Sequence, residues 1–359
     1  MNSSNTNLKR FWSPKVHDLS PYVPGEQPKL TNLVKLNTNE NPFPPSPKVF
    51  VAIQNQLNQS LRLYPDPNAT KLRQCLADST GLNIDNVFVG NGSDEVLAHT
   101  FQALLKHSEP LLFPDISYSF YPVYCGLYGI KKCEVPLSED LTINVSDFSQ
   151  PNGGVILPNP NAPTGELLSL MDIRQLLMAN TNRVVVIDEA YIDFGGQSAA
   201  ILINQYANLL VVQTMSKARS LAGMRIGYAL GSVQLIEGLE RVKNSFNSYP
   251  LGHLQIAAGI AAFEDQTYFD DTRNQVMASR EWLSVQLKAL HFDVLPSAAN
   301  FVFVRPTQKP AETIADQLRD LGIIVRHFKQ PRIEEFLRIT VGTEAQNRQL
   351  INALASLLK

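Results

Sequence analysis

Lys217 stands in TMSKARSLAGMRIGY (214 to 228), just after a buried-type apolar run, with two hydroxyls (Thr214, Ser216) and two arginines (Arg219, Arg225) close by in sequence. Such a lysine, placed beyond the carboxyl end of a strand in an open α/β sheet, is where a reactive amine would meet a bound molecule. Alone it would be an ordinary surface cation; its neighbours reverse that reading. Upstream, VVVID (184 to 188) delivers Asp188 to the same sheet edge, followed by Glu189, Ala190 and Tyr191. In isolation this Asp would as readily be a cap. Together, acid and phenol describe a cofactor pocket: a poorly solvated carboxylate forms a charge-assisted hydrogen bond with a protonated pyridine nitrogen and keeps that ring an electron sink, while Tyr191 can donate to a ring oxygen. GNGSDE (90 to 95) opens a helix directly after NVFV, so Gly92, Ser93 and Asp94 offer unpaired amides at the positive end of a helix dipole, a cradle for an anion. The third glycine of a dinucleotide fingerprint is replaced there by Glu95, which ranks a nicotinamide dehydrogenase low. YPDP (64 to 67), SYSFYPVY (117 to 124) and PNPNAPTG (158 to 165) add aromatic and polar pieces, each of which alone would be packing or a turn.

The elements that must position these groups alternate between helices and short apolar strands, the pattern of a layered α/β sandwich with a largely parallel sheet. Strands are expected at 86 to 90, 111 to 113, 155 to 158, 184 to 188, 209 to 213 and 226 to 230, several of them apolar on both faces. Val49, Phe50, Ile53, Leu57 and Leu61 fall at helical spacing, and a second helix through Leu72 and Leu76 should stop at Gly81. A long helix through Trp282, Leu283, Val285, Leu287 and Leu290 leads to a smaller α+β domain, with strands at 301 to 305, 323 to 326 and 336 to 342 and a last helix ending at Leu358. The expected division is an N-terminal arm with part of the small domain over 1 to 45, a large domain over 46 to 265, and the small domain over 266 to 359.

At 359 residues, 44% hydrophobic and 18% charged, the chain reads as a soluble globular protein of two domains. A net charge of -2 provides no cationic field for nucleic acid or an anionic bilayer, so small molecules are the expected partners. Cys75, Cys125 and Cys133 fit neither a disulfide framework nor a zinc site, and none of the 6 histidines has ligand spacing, so no metal is expected. Neither a signal peptide nor a membrane helix is recognisable, and a cytoplasmic location is expected.

Taken in order, NENP, YPDP, GNGSDE, SYSFYP, NPNAPTG, DEAY, SKARSLAGMRIGY and LRITVGT resemble the fold-type-I pyridoxal-phosphate aminotransferases over nearly the whole chain. The opening run SPYVPGEQPKLTNLVKLNTNENP is similar, within them, to the histidinol-phosphate aminotransferases. The resemblance implies that Lys217 carries pyridoxal 5'-phosphate covalently and shuttles the substrate's proton. It implies Asp188 on the pyridinium nitrogen, Tyr191 on the phenolic oxygen and Tyr118 against the ring. The phosphate would lie on Gly92, Ser93 and Asp94 with Thr214, Ser216 and Arg225, joined by Tyr64 from the other subunit of a homodimer. Arg338 would take the α-carboxylate of glutamate, with Arg326 and Tyr22 beside it for the phosphate of histidinol phosphate; 2-oxoglutarate would be the amino acceptor. For Arg326 a surface ion pair is an equal alternative. The chain departs from the family at Ala162, where Asn commonly precedes Pro-Thr-Gly, and the contact to the phenolic oxygen is carried to Asn161. An aromatic-amino-acid aminotransferase or a threonine-phosphate decarboxylase would show much the same motifs. A cofactor-sensing transcription factor would need a basic helix-turn-helix module ahead of this fold, and the first forty residues are Pro-rich instead.

Overall fold

The computed structural model describes residues 9–26 and 33–359. In chain order the strands are β1 (Val34–Leu36), β2 (Val87–Asn91), β3 (Leu111–Pro114), β4 (Lys132–Val135), β5 (Gly154–Pro158) and β6 (Val185–Asp188). They continue with β7 (Leu209–Thr214), β8 (Ile226–Gly231), β9 (Phe292–Val294), β10 (Phe301–Pro306), β11 (Ile323–His327) and β12 (Leu337–Thr340). Among the described residues these form a 7-stranded sheet in the order β2-β8-β7-β6-β5-β3-β4 and a 5-stranded sheet in the order β1-β11-β12-β10-β9.

The larger sheet is parallel except for β8, which runs antiparallel to both β2 and β7. Its central strands are apolar on both faces because both are covered. Leu157, Ile187 and Val211 pack with the helices Thr70–Thr80, Leu170–Ala179 and His253–Glu264. Ile156, Val186 and Val212 meet Phe101 of the helix Gly92–Leu104, Tyr121 and Tyr124 of Tyr121–Tyr128, and Leu239 of Val233–Asn244. In the smaller sheet the long helix Gln266–Ala289 buries Leu283 and Leu287 against Val302 and Val304 of β10. No helix among the described residues is long and apolar enough to cross a membrane.

The helix Thr70–Thr80 ends on Gly81 at φ 68°, as its sequence predicts, since that left-handed position carries no penalty for glycine. The preceding helix differs from expectation. It ends at Gln56, short of Leu57 and Leu61; Val49 and Ile53 meet the chain's own core, whereas Phe50, Leu57 and Leu61 are exposed and are not covered by it. Three strands are too short or too polar to show a period: β1, β4 (KCEV) and β9. β1 lies within the N-terminal segment, 1 to 45, and pairs parallel with β11 of the smaller sheet, Val34 opposite Ile323.

Candidate active site

Strand order brings the chemical groups together. Asp188 ends β6 and lies in register with Val212 of β7, two residues before Thr214 ends that strand and five before Lys217. Because β8 runs antiparallel between β7 and β2, its first residue, Ile226, pairs with Asn91 at the end of β2. Arg225 is thereby set against the N-terminus of the helix Gly92–Leu104. The approach is so close that a Cβ on Gly92 (φ 80°) would stand 2.4 Å from an Arg225 nitrogen, and one on Gly227 would stand 2.4 Å from the carbonyl carbon of Gly92. Arg225 itself holds a left-handed backbone at φ 51°, a strained conformation for a residue with a Cβ.

Ser93, Asp94, Tyr118, Asp188, Tyr191, Thr214, Ser216, Lys217 and Arg225 surround one cavity of about 130 Å³. Asp94 bridges two of them, accepting from the Tyr118 hydroxyl at 2.9 Å and from Arg225 Nη2 at 2.9 Å. Thr214 Oγ1 donates to Ser216 Oγ at 2.9 Å and accepts from the Ser216 amide at 3.1 Å. Lys217 Nζ donates to the Thr38 carbonyl at 3.3 Å and stands 5.8 Å from the Tyr191 ring centroid. Asp188 Oδ2 accepts from Tyr121 at 2.8 Å, whereas Oδ1 is buried with no partner among the described residues. Burial pushes the Asp188 carboxyl up to about 6 even though the Tyr121 hydrogen bond pulls the other way. A carboxylate with a dry, unused lone pair calls for a cationic donor, and the amides and guanidinium at the far end call for an anion.

A second cavity of about 420 Å³ shares Tyr118, Tyr191 and Lys217 with the first and is walled by Tyr22, Phe328, Arg326 and Arg338. Tyr22 stacks on Phe120 at 4.7 Å and tilts against Tyr118 at 6.5 Å. Arg326 and Arg338 are direct partners across β11 and β12. Arg338 donates to the Asn37 carbonyl at 3.0 Å between the rings of Phe301 and Phe328, and neither arginine has an ion-pair partner among the described residues. Burial first, and then the Arg326 charge, disfavour the Arg338 cation, so an anion entering this cavity would relieve two guanidinium groups at once.

Two expected residues are not brought here. Tyr64 is 81% exposed, stacks on Tyr249 at 4.8 Å and lines neither cavity of its own chain. Asn161 is fully buried, with Nδ2 donating to the Ile116 carbonyl at 3.1 Å and to Thr164 Oγ1 at 3.0 Å; Ala162, one residue on, lines both cavities. The displacement by one residue sets Asn161 behind the cavity wall, where its Nδ2 is engaged and its Oδ1 is buried without a partner among the described residues. Sequence reasoning missed two others. Tyr121 lies three residues after Tyr118, in the same aromatic run SYSFYPVY, which could have marked it. Asn39, in NENP, donates through Nδ2 to the Tyr191 hydroxyl at 2.9 Å across 152 residues of chain, and no local pattern announces that. Asn39 is held by Thr340, whose Oγ1 accepts from its amide at 3.0 Å and donates to its Oδ1 at 3.1 Å.

Residues 31–354 match the family model described as aminotransferase class I and II. A histidinol-phosphate aminotransferase 1 of Methylococcus capsulatus is 62% identical over 351 residues, 98% of either chain. One from Pseudomonas fluorescens is 61% identical over 98% of this chain and 100% of its own. Among solved structures, the histidinol-phosphate aminotransferase of Sinorhizobium meliloti in complex with pyridoxal-5'-phosphate superimposes with a TM-score of 0.87 at 25% identity, covering 97% of this chain and 98% of that one.

Proposed function

The chain belongs to the aminotransferase class I and II family, and on that premise we propose how its residues divide the labour of amino transfer. It exchanges the amino group between histidinol phosphate with 2-oxoglutarate and imidazole-acetol phosphate with glutamate, a step of histidine biosynthesis, using pyridoxal phosphate. The residues fit that cofactor: the Asp188 carboxyl, whose Oδ1 has no partner among the described residues, suits a ring N–H, and the Gly92 turn beside Arg225 suits a phosphate. Bound there, pyridoxal phosphate supplies an aldehyde carbon to take up the amino group and a protonated ring to accept electrons from the substrate's α-carbon.

Lys217 would hold the cofactor covalently, and its Nζ is placed to move the proton at the substrate's α-carbon. Asp188 Oδ1 accepts the ring N–H and keeps that proton in place, in a site dry enough to make the bond strong. Tyr191, oriented by Asn39, donates at the phenolic oxygen, and Tyr118 covers the ring face. The amides of Ser93 and Asp94 bind the phosphate with Thr214, Ser216 and Arg225. Arg338 binds the glutamate α-carboxylate, and Arg326 and Tyr22 help hold the substrate phosphate that takes its place. The exposed Tyr64 and the outward stripe of Phe50, Leu57 and Leu61 support a homodimer in which Tyr64 of the partner subunit completes each site. Three unbridged cysteines accord with a cytoplasmic location.

The observation that carries the reading is one cavity uniting Lys217, Asp188 and Arg225, opening onto the paired Arg326 and Arg338. The test mixes the pyridoxal form of the enzyme separately with histidinol phosphate, phenylalanine and threonine phosphate and follows conversion to the pyridoxamine spectrum. Histidinol phosphate should convert it fastest; equal or faster conversion by phenylalanine would reassign the substrate. Borohydride reduction and tryptic mapping should place the label on Lys217.

A further inference from the structure

The geometry points to Arg332 as a positioning residue that fastens the loop between β11 and β12 across the substrate cleft. This loop, residues 328 to 336, springs from the smaller sheet and supplies Phe328, Gln330 and Ile333 to the wall of the 420 Å³ cavity. The opposite wall, Ser117 and Tyr118, follows β3 of the larger sheet. Among the described residues no single strand or helix runs from one wall to the other, so contacts between them help set their separation.

Arg332 does so with one fork. Its Nη1 donates to Asp115 Oδ2 at 3.0 Å, and its Nη2 donates to the carbonyls of Leu137 at 2.9 Å and Ser138 at 2.7 Å, just beyond β4. Asp115 is already committed to the larger sheet, because its Oδ1 accepts from the amides of Ile116 and Leu137, each at 2.9 Å. A second strap runs parallel, Gln330 Nε2 to the Asp115 carbonyl at 3.0 Å. Next to Arg332, Ile333, 1% exposed, is buried in the core of the larger sheet with Ile116 and Leu137. Arg332 adopts a left-handed backbone at φ 72°, an unfavourable conformation for arginine that its contacts hold in place.

An exposed ion pair alone would carry little, yet a planar guanidinium shared by a carboxylate and two carbonyls is geometrically specific, and lysine cannot reproduce it. Tyr118 lies three residues beyond Asp115, so the same fork couples the loop to the ring-facing wall. Its kinetic consequence rests on the amino-transfer reading above; its structural consequence does not.

The test compares wild-type holoenzyme with Arg332→Met, which keeps the alkyl stem, Arg332→Lys, and Asp115→Asn. Arg332→Met should raise KM for histidinol phosphate about tenfold with kcat changed less than about threefold, as loss of a charged hydrogen bond implies. Arg332→Lys should recover only part of that. Deuterium exchange of the 328 to 336 peptide should speed up in Arg332→Met and Asp115→Asn, and the double variant should exchange no faster than either single one. Unchanged exchange together with unchanged KM overturns the assignment. Faster exchange in a protein whose wild type does not turn over histidinol phosphate keeps the fastening and rejects the substrate instead.

Discussion

Tyr121 donates its hydroxyl to Asp188 Oδ2 at 2.8 Å, and the other carboxylate oxygen is buried without a partner among the described residues. The two residues come from different elements, Tyr121 from a helix start and Asp188 from a strand end, and both are buried. One oxygen is thus tied to the protein, while the residue lines the cavity with its other oxygen still buried. Tyr121→Phe keeps the ring's volume and removes only that tie. The carboxyl should then titrate still higher, and the affinity for pyridoxal phosphate should fall about tenfold, the usual cost of one charge-assisted bond. A fluorescence titration of the cofactor-free protein reads this directly; an unchanged constant would show that Asp188 is held by something else.

The burial of Asp188 has a pH signature of definite sign. Its folded-state carboxyl titrates near 6 against an ordinary 3.8, so over that interval the folded chain binds more protons than the unfolded one and loses stability as pH rises. Below pH 4 the group contributes no such difference. In the cofactor-free protein, Asp188→Asn should therefore match wild type at pH 4 and exceed it at pH 7, by up to on the order of 3 kcal/mol. With the cofactor bound the order should reverse, because the ring cation favours the carboxylate. Urea midpoints at both pH values, with and without cofactor, check both signs.

Tyr64 is predicted to work in trans. Lys217→Ala and Tyr64→Ala homodimers should each be impaired, the first by about 10⁴-fold or more, since it loses both the covalent anchor and the proton carrier. A mixed dimer made by subunit exchange contains one wild-type site if Tyr64 serves its neighbour, and none if it serves its own chain. Recovered turnover on mixing supports the shared site, and a mixture no better than its parts removes it.

Asn39 and Asn161 separate a site contact from a loop support. Asn39→Ala strips the Tyr191 hydroxyl of its donor and should shift the pH titration of the cofactor's absorption. Asn161→Ala frees the Ile116 carbonyl and Thr164 inside the protein and should lower the melting temperature with the titration unmoved. A shifted titration in Asn161→Ala would restore that residue to the cofactor.

Much of the cofactor side was legible from residues alone, because those groups sit at ends of strands whose apolar character is local. VVVID, LLVVQ and IGYAL announce β6, β7 and β8, and Asp188, Lys217 and Arg225 lie within a few residues of them. The reversed direction of β8 left no such trace, though it is what sets Arg225 against Gly92. The exposed stripe of Phe50, Leu57 and Leu61 has the periodicity of a core helix, and only its surroundings reveal that the chain's own core does not cover it.

What the order of amino acids determined unaided was the inventory of reactive groups and the elements that carry them, since both follow from short-range chemistry: apolar runs, caps and glycine turns. Tertiary structure decided which groups meet. Asn39 reaches Tyr191, Tyr121 reaches Asp188, and Arg332 reaches Asp115, across 152, 67 and 217 residues respectively. Such partners are chosen by strand order and by how distant elements pack, and a side chain's own neighbours in sequence carry no record of either.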